Sequence, residues 1–147
     1  MWDIKEDDLD TEILFEDPVF VVAGINSRWT RGRKLALKDL IGEAWALPPA
    51  DSNAGASGLP IPHVAVASYG HHLTNALVST GRFLTMLPGA YLKFNGKRFG
   101  LKALPVKLSL PPQPIGIVTL KNRTLSPLAQ LFIKCAPNIA KPLMAKT

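Results

Sequence analysis

Acidic side chains are absent from Ser52 to Thr147. Eight of the 11 crowd the first 17 residues (Asp3, Glu6, Asp7, Asp8, Asp10, Glu12, Glu16, Asp17), which leaves Asp39, Glu43 and Asp51. Acid/base catalysis by paired carboxylates would have to use those three. They fall on a short predicted helix, just after it and in a loop, with nothing to enforce a pair. Cysteine is nearly absent as well. Cys135 alone excludes an internal disulfide and a multi-cysteine metal site. It sits on the apolar face of the last predicted helix with no charged residue one turn away on that face, the pattern of a buried structural thiol. No apolar run reaches the ~18 residues of a membrane span. The start, Met1-Trp-Asp-Ile-Lys-Glu-Asp-Asp8, is acidic where a secretory leader is basic. A cytoplasmic protein is the expectation. Nucleotide-binding glycine patterns are missing, since Asn95–Gly100 has neither the spacing nor the hydroxyl of a phosphate loop, and there is no Gly-x-Ser-x-Gly elbow. His71 and His72 are neighbours on a predicted helix and point about 100° apart, so they do not readily share a metal. No enzyme, cofactor or metal is expected.

What is present suits one domain with a core: 147 residues, 47% hydrophobic and 19% charged. The net charge of +6 combines an acidic leader with a basic body. Lys93, Lys97, Arg98 and Lys102 are its densest group. They form no run and carry no aromatic ladder, so a solvated surface and non-specific nucleic-acid binding both stay open. The leader to Asp10 reads as a linker, residues 11–135 as the domain and 136–147 as a tail. β-branched and aromatic runs predict strands at Glu12–Glu16, Val19–Ala23, Trp45–Leu47, His63–Ala67, Phe83–Leu87, Leu101–Val106 and Ile115–Leu120. Helical spacing predicts Leu37–Ile41, His71–Ser79, a helix opened by Pro88 that carries Tyr91, Leu92 and Phe94, and a last helix. In the last one Ser126 is the N-cap, Pro127 the first residue, and Leu128, Leu131, Phe132, Cys135 and Ile139 form the apolar stripe. Pro137 predicts a kink or an early end. Strands alternating with helices point to an α/β sandwich.

In such sheets ligands settle beyond the carboxyl ends of strands, where helix N-termini present unpaired N–H groups. Two junctions qualify: Ser52, after Trp45-Ala-Leu-Pro-Pro-Ala-Asp51, and Ser68-Tyr69-Gly70, after His63–Ala67. Each serine hydroxyl can cap a helix or donate to a ligand carboxylate, and local sequence leaves both roles open.

Several segments, in order, resemble the second half of a LysR-type regulator's effector-binding domain. They are Phe15-Glu-Asp-Pro-Val-Phe-Val-Val-Ala-Gly24, Leu37-Lys-Asp-Leu40, Glu43-Ala-Trp-Ala-Leu-Pro-Pro-Ala-Asp-Ser52, Gly81-Arg-Phe-Leu-Thr-Met-Leu-Pro88, Leu104-Pro-Val106, Pro114 to Pro127 and Leu131-Phe-Ile133. The resemblance implies a partial α/β fold, one periplasmic-binding-protein-like (type II) lobe with a mixed sheet flanked by helices. It implies a small-molecule effector, an organic acid or aromatic, with Ser68 placed toward it and Ser52 and Tyr69 lining the same side. It also implies that DNA is reached only through a winged helix-turn-helix that this chain does not contain. Against the family pattern, Asn53–Pro62 is short and glycine-rich where a full helix is usual. Self-association, or pairing with a related regulator's subunit as a stand-alone module, is the partner expectation.

Overall fold

A computed structural model describes residues 6–31, 35–49 and 63–144. In chain order the regular elements are β1 (Leu9–Asp17), β2 (Val19–Gly24), β3 (Trp45–Leu47), β4 (Val64–Ala67), α1 (His71–Ser79), β5 (Leu84–Pro88), α2 (Gly89–Phe99), β6 (Leu101–Ala103), β7 (Gln113–Leu120) and α3 (Pro127–Met144). Short 3-10 turns cover Glu6–Asp8, Arg28–Arg31 and Leu37–Asp39. The chain divides into two compact units, Pro18–Pro111 and the pair Met1–Asp17 with Pro112–Thr147.

The larger unit is a five-stranded sheet in the order β4-β3-β5-β2-β6. It is mixed: β3 runs parallel to β4 and β5, and β2 runs antiparallel to β5 and β6. Both faces of β2 are buried, so its sequence is a continuous apolar run rather than an alternation. Val21 and Ala23 pack on one face with Leu40, Trp45, Leu47, Leu84, Leu104 and Val106. Val22 packs on the other with Val78 of α1, Leu87 and Leu101, and with Tyr91 and Leu92 of α2 alongside. Trp45 is the largest fully buried side chain, and its indole N–H donates to the Leu40 carbonyl at 2.8 Å. That bond ties the 3-10 turn at Leu37–Asp39 to the sheet.

Two glycines are required by the geometry. Gly24 ends β2 against α1, where a Cβ would lie 2.5 Å from the Val78 carbonyl oxygen. Gly81 follows α1 at φ +79°, a region that L side chains avoid, and turns the chain into β5.

The smaller unit is an antiparallel ribbon of β1 and β7, paired from Leu9↔Leu120 to Asp17↔Gln113 with an irregularity between Ile13 and Phe15. Gly116 stands opposite Ile13, and a Cβ there would come 2.5 Å from the Glu12 carbonyl oxygen. α3 lies along β1. Ser126 caps it as the sequence predicts, its Oγ accepting from the Ala129 N–H at 3.2 Å.

Several local expectations change. β1 begins at Leu9, inside the stretch read as a linker, because pairing with β7 extends it. α3 continues through Pro137 and Pro142 to Met144. Cys135 is exposed rather than buried. The apolar stripe is helical, as predicted, but it faces outward.

Candidate functional site

The carboxyl ends of β3 and β4 lie side by side, with Leu47 opposite Ala67. Ser68 leaves β4 at this edge, and its N–H donates to the Leu47 carbonyl at 2.9 Å. The backbone of Ser68 is thus fixed by the sheet. Its Oγ accepts from the Gly70 N–H at 2.9 Å. Gly70 is the N-cap residue of α1 and has no side-chain cap of its own. Ser68 therefore closes a turn just ahead of the helix rather than capping it. Accepting that bond leaves its hydroxyl proton to donate elsewhere.

α1 spans His71–Ser79, as its sequence predicts. Its first hydrogen bond in the chain direction is from the Thr74 N–H to the Gly70 carbonyl. The N–H groups of the three preceding helical residues have no intrahelical acceptor, and the helix dipole adds partial positive charge there. The first turn holds no acidic residue, and none follows Asp51 anywhere in the chain. Tyr69, two-thirds exposed, stands between Ser68 and the helix. Ser52 lies outside the described residues, so Ser68 and Tyr69 are the predicted site residues that can be placed.

One cluster was missed by the sequence reading. The His71 ring stacks on Tyr91 of α2 with centroids 5.4 Å apart. Tyr91 Oη in turn accepts from Asn75 Nδ2 at 2.6 Å. Asn75 is buried, and its Oδ1 has no hydrogen-bond partner. This chain of contacts pins the start of α1 to α2. No local signal reveals it, because the partners are 16 residues apart on different helices. Among the described residues, no three His, Cys, Asp or Glu side chains are grouped to hold a metal ion. No described helix is long and apolar enough to cross a membrane.

The family model for the LysR substrate binding domain matches residues 2–138. A search of curated proteins returned no match. Solved structures share the fold. The regulatory domain of CcmR from Synechocystis PCC6803, in complex with 2-PG, has a TM-score of 0.72 at 18% identity, over 95% of this chain and 71% of that one. The effector binding domain of QuiR, in complex with shikimate, has a TM-score of 0.69 at 17% identity, over 96% and 69% respectively. HinK, a LysR family transcriptional regulator from Pseudomonas aeruginosa, has a TM-score of 0.70 at 19% identity, over 97% of this chain and 51% of HinK.

Proposed function

Because the chain belongs to the LysR substrate binding domain family, we propose that it senses a small anionic effector at the carboxyl ends of β3 and β4. The observation that carries this reading is the arrangement at Ser68. A hydroxyl held by its own turn faces the uncapped N-terminus of α1, in a stretch of sequence without acids. A carboxylate there accepts hydrogen bonds from the Ser68 hydroxyl and the helix N–H groups that have no intrahelical acceptor, with a dipole contribution of about 0.3–1 kcal/mol. Tyr69 supplies an exposed ring beside it. Ser52 follows β3 in the sequence, lies outside the described residues, and is the second serine of the proposed site. The role is binding rather than catalysis, and the setting is the cytoplasm, where a transcription regulator meets DNA. The complexes of CcmR with 2-PG and QuiR with shikimate support an organic acid as the ligand class.

Calorimetric titration of the chain with a panel of organic acids tests the assignment. Ser68→Ala is expected to weaken the best ligand by about tenfold, the value of one charge-assisted hydrogen bond. Equal affinity in the variant, with only the melting temperature lowered, would reduce Ser68 to a turn residue.

A second element of the reading is association. The outward stripe of α3, with Leu128, Leu131, Phe132 and Ile139, places four exposed large apolar side chains on one helix. It fits a second copy of the chain or a related regulator's subunit.

A further inference from the structure

A concave site lies at the end of the five-stranded sheet opposite Ser68. Ser68 follows the carboxyl end of β4, which is parallel to β3 and β5. Glu43 precedes β3, and Gly81, Arg82 and Phe83 precede β5, so they gather at the amino ends of those parallel strands. β2 is antiparallel to β5, and the turn after it brings Arg28 and Trp29 to the same end. Together with Leu84 these residues line a cavity of about 260 Å³.

Its charges are unequally satisfied. Arg28 donates to both Glu43 carboxylate oxygens, at 2.7 and 2.8 Å, and its guanidinium lies 4.8 Å from the centre of the Trp29 ring. That pair is neutral and complete. Arg82 is placed by its backbone: the turn at Gly81 precedes it, and its N–H donates to Thr80 Oγ1 at 3.3 Å. Its guanidinium has no partner among the described residues. The net charge on the lining is therefore a single positive one, on an exposed residue of a pocket that Trp29, Phe83 and Leu84 also line.

We infer that this cavity is a second ligand site, which takes a small planar monocarboxylate with its charge on Arg82 and its ring against Trp29 and Phe83. The volume is below the usual range for drug-sized ligands, so the molecule is compact, about one ring and its acid group. A guanidinium fork matches a carboxylate in two parallel hydrogen bonds. With Arg28 taken up by Glu43, Arg82 is the one unmatched charge on the lining, so a second negative charge on the ligand would find no cation there. The site is independent of the one at Ser68, because the length of the sheet separates them.

The test uses the 147-residue chain, with benzoate as the probe and amide and indole NMR shifts as the readout. Saturable shifts of the Trp29 indole and the Gly81–Leu84 amides are expected. Arg82→Gln should weaken them by about tenfold or more. Arg82 is exposed, so the variant keeps its fold, which its remaining spectrum verifies. Benzyl alcohol, with the ring but no charge, should not saturate these signals, and Ser68→Ala should leave them unchanged. Absence of saturable shifts at these residues, undiminished binding by Arg82→Gln, or equal binding of benzyl alcohol would overturn the inference. Shifts confined to Ser68–Leu73 would overturn it too, while leaving the proposal for the strand ends in place.

Discussion

Trp45 shows how one side chain can hold a turn and a sheet together. It is fully buried at the start of β3, and its single polar atom is satisfied by the Leu40 carbonyl. Trp45→Phe removes the donor, strands that carbonyl and leaves a void where the second ring packed. Unfolding by denaturant should show a loss of about 2–4 kcal/mol, the sum of an unsatisfied acceptor and a modest cavity. A loss under ~1 kcal/mol would mean that the turn relaxes to find another donor. Ser68 behaves differently, because its hydroxyl spans only two residues and is partly exposed. Removing it should cost stability little, about 1 kcal/mol, so its larger effect is expected on ligand affinity. The sequence indicated the serine through its place after a strand and before a helix. It could not reveal the Asn75–Tyr91–His71 contacts, which exist only once α1 and α2 are packed on one face of the sheet.

α1 and the strand Trp45–Leu47 keep their predicted ends, and several other elements do not. α1 has the ends its sequence predicts because Gly70 and Gly81 bracket it. The predicted helix at Leu37–Ile41 is a 3-10 turn, since so short a segment gains few hydrogen bonds for the residues it fixes. β6 stops at Ala103, two residues before Pro105, where a longer strand was expected. β1 is longer than predicted because β7 runs opposite it, and that pairing joins the two ends of the chain. α3 departs furthest: it keeps helical geometry across Pro137, which lacks an N–H and crowds the preceding turn. Pro137→Ala restores that donor and relieves the clash. It should raise helical content by circular dichroism and stabilise the chain by about 1–3 kcal/mol. Unchanged helicity would mean that packing alone holds α3 through the proline.

At the scale of the whole molecule the distribution of apolar surface decides what the chain does next. The sheet of the larger unit has two buried faces. The smaller unit is a two-stranded ribbon with one helix, and such a ribbon is marginal unless its apolar face is covered. Ile13 and Val118 of the ribbon are more than half exposed, and Leu128, Phe132 and Ile139 of α3 are exposed by two-thirds or more. Helical periodicity could establish that Leu128, Leu131, Phe132, Cys135 and Ile139 share a stripe. It could not establish what the stripe rests against, and so Cys135 was expected in the core. Burying such side chains contributes about 1.5–3 kcal/mol each, so a few of them suffice to drive association at moderate concentration. Sedimentation should show a concentration-dependent oligomer, and Phe132→Asp should return it to a monomer, because the charge would have to be desolvated in the contact. Cys135 lies one turn from Phe132 and reports on the same surface. Its reaction with a maleimide should slow as the chain concentration rises and become independent of concentration in Phe132→Asp. A strict monomer across the whole range, with Cys135 labelled at one constant rate, would rule out self-association through α3.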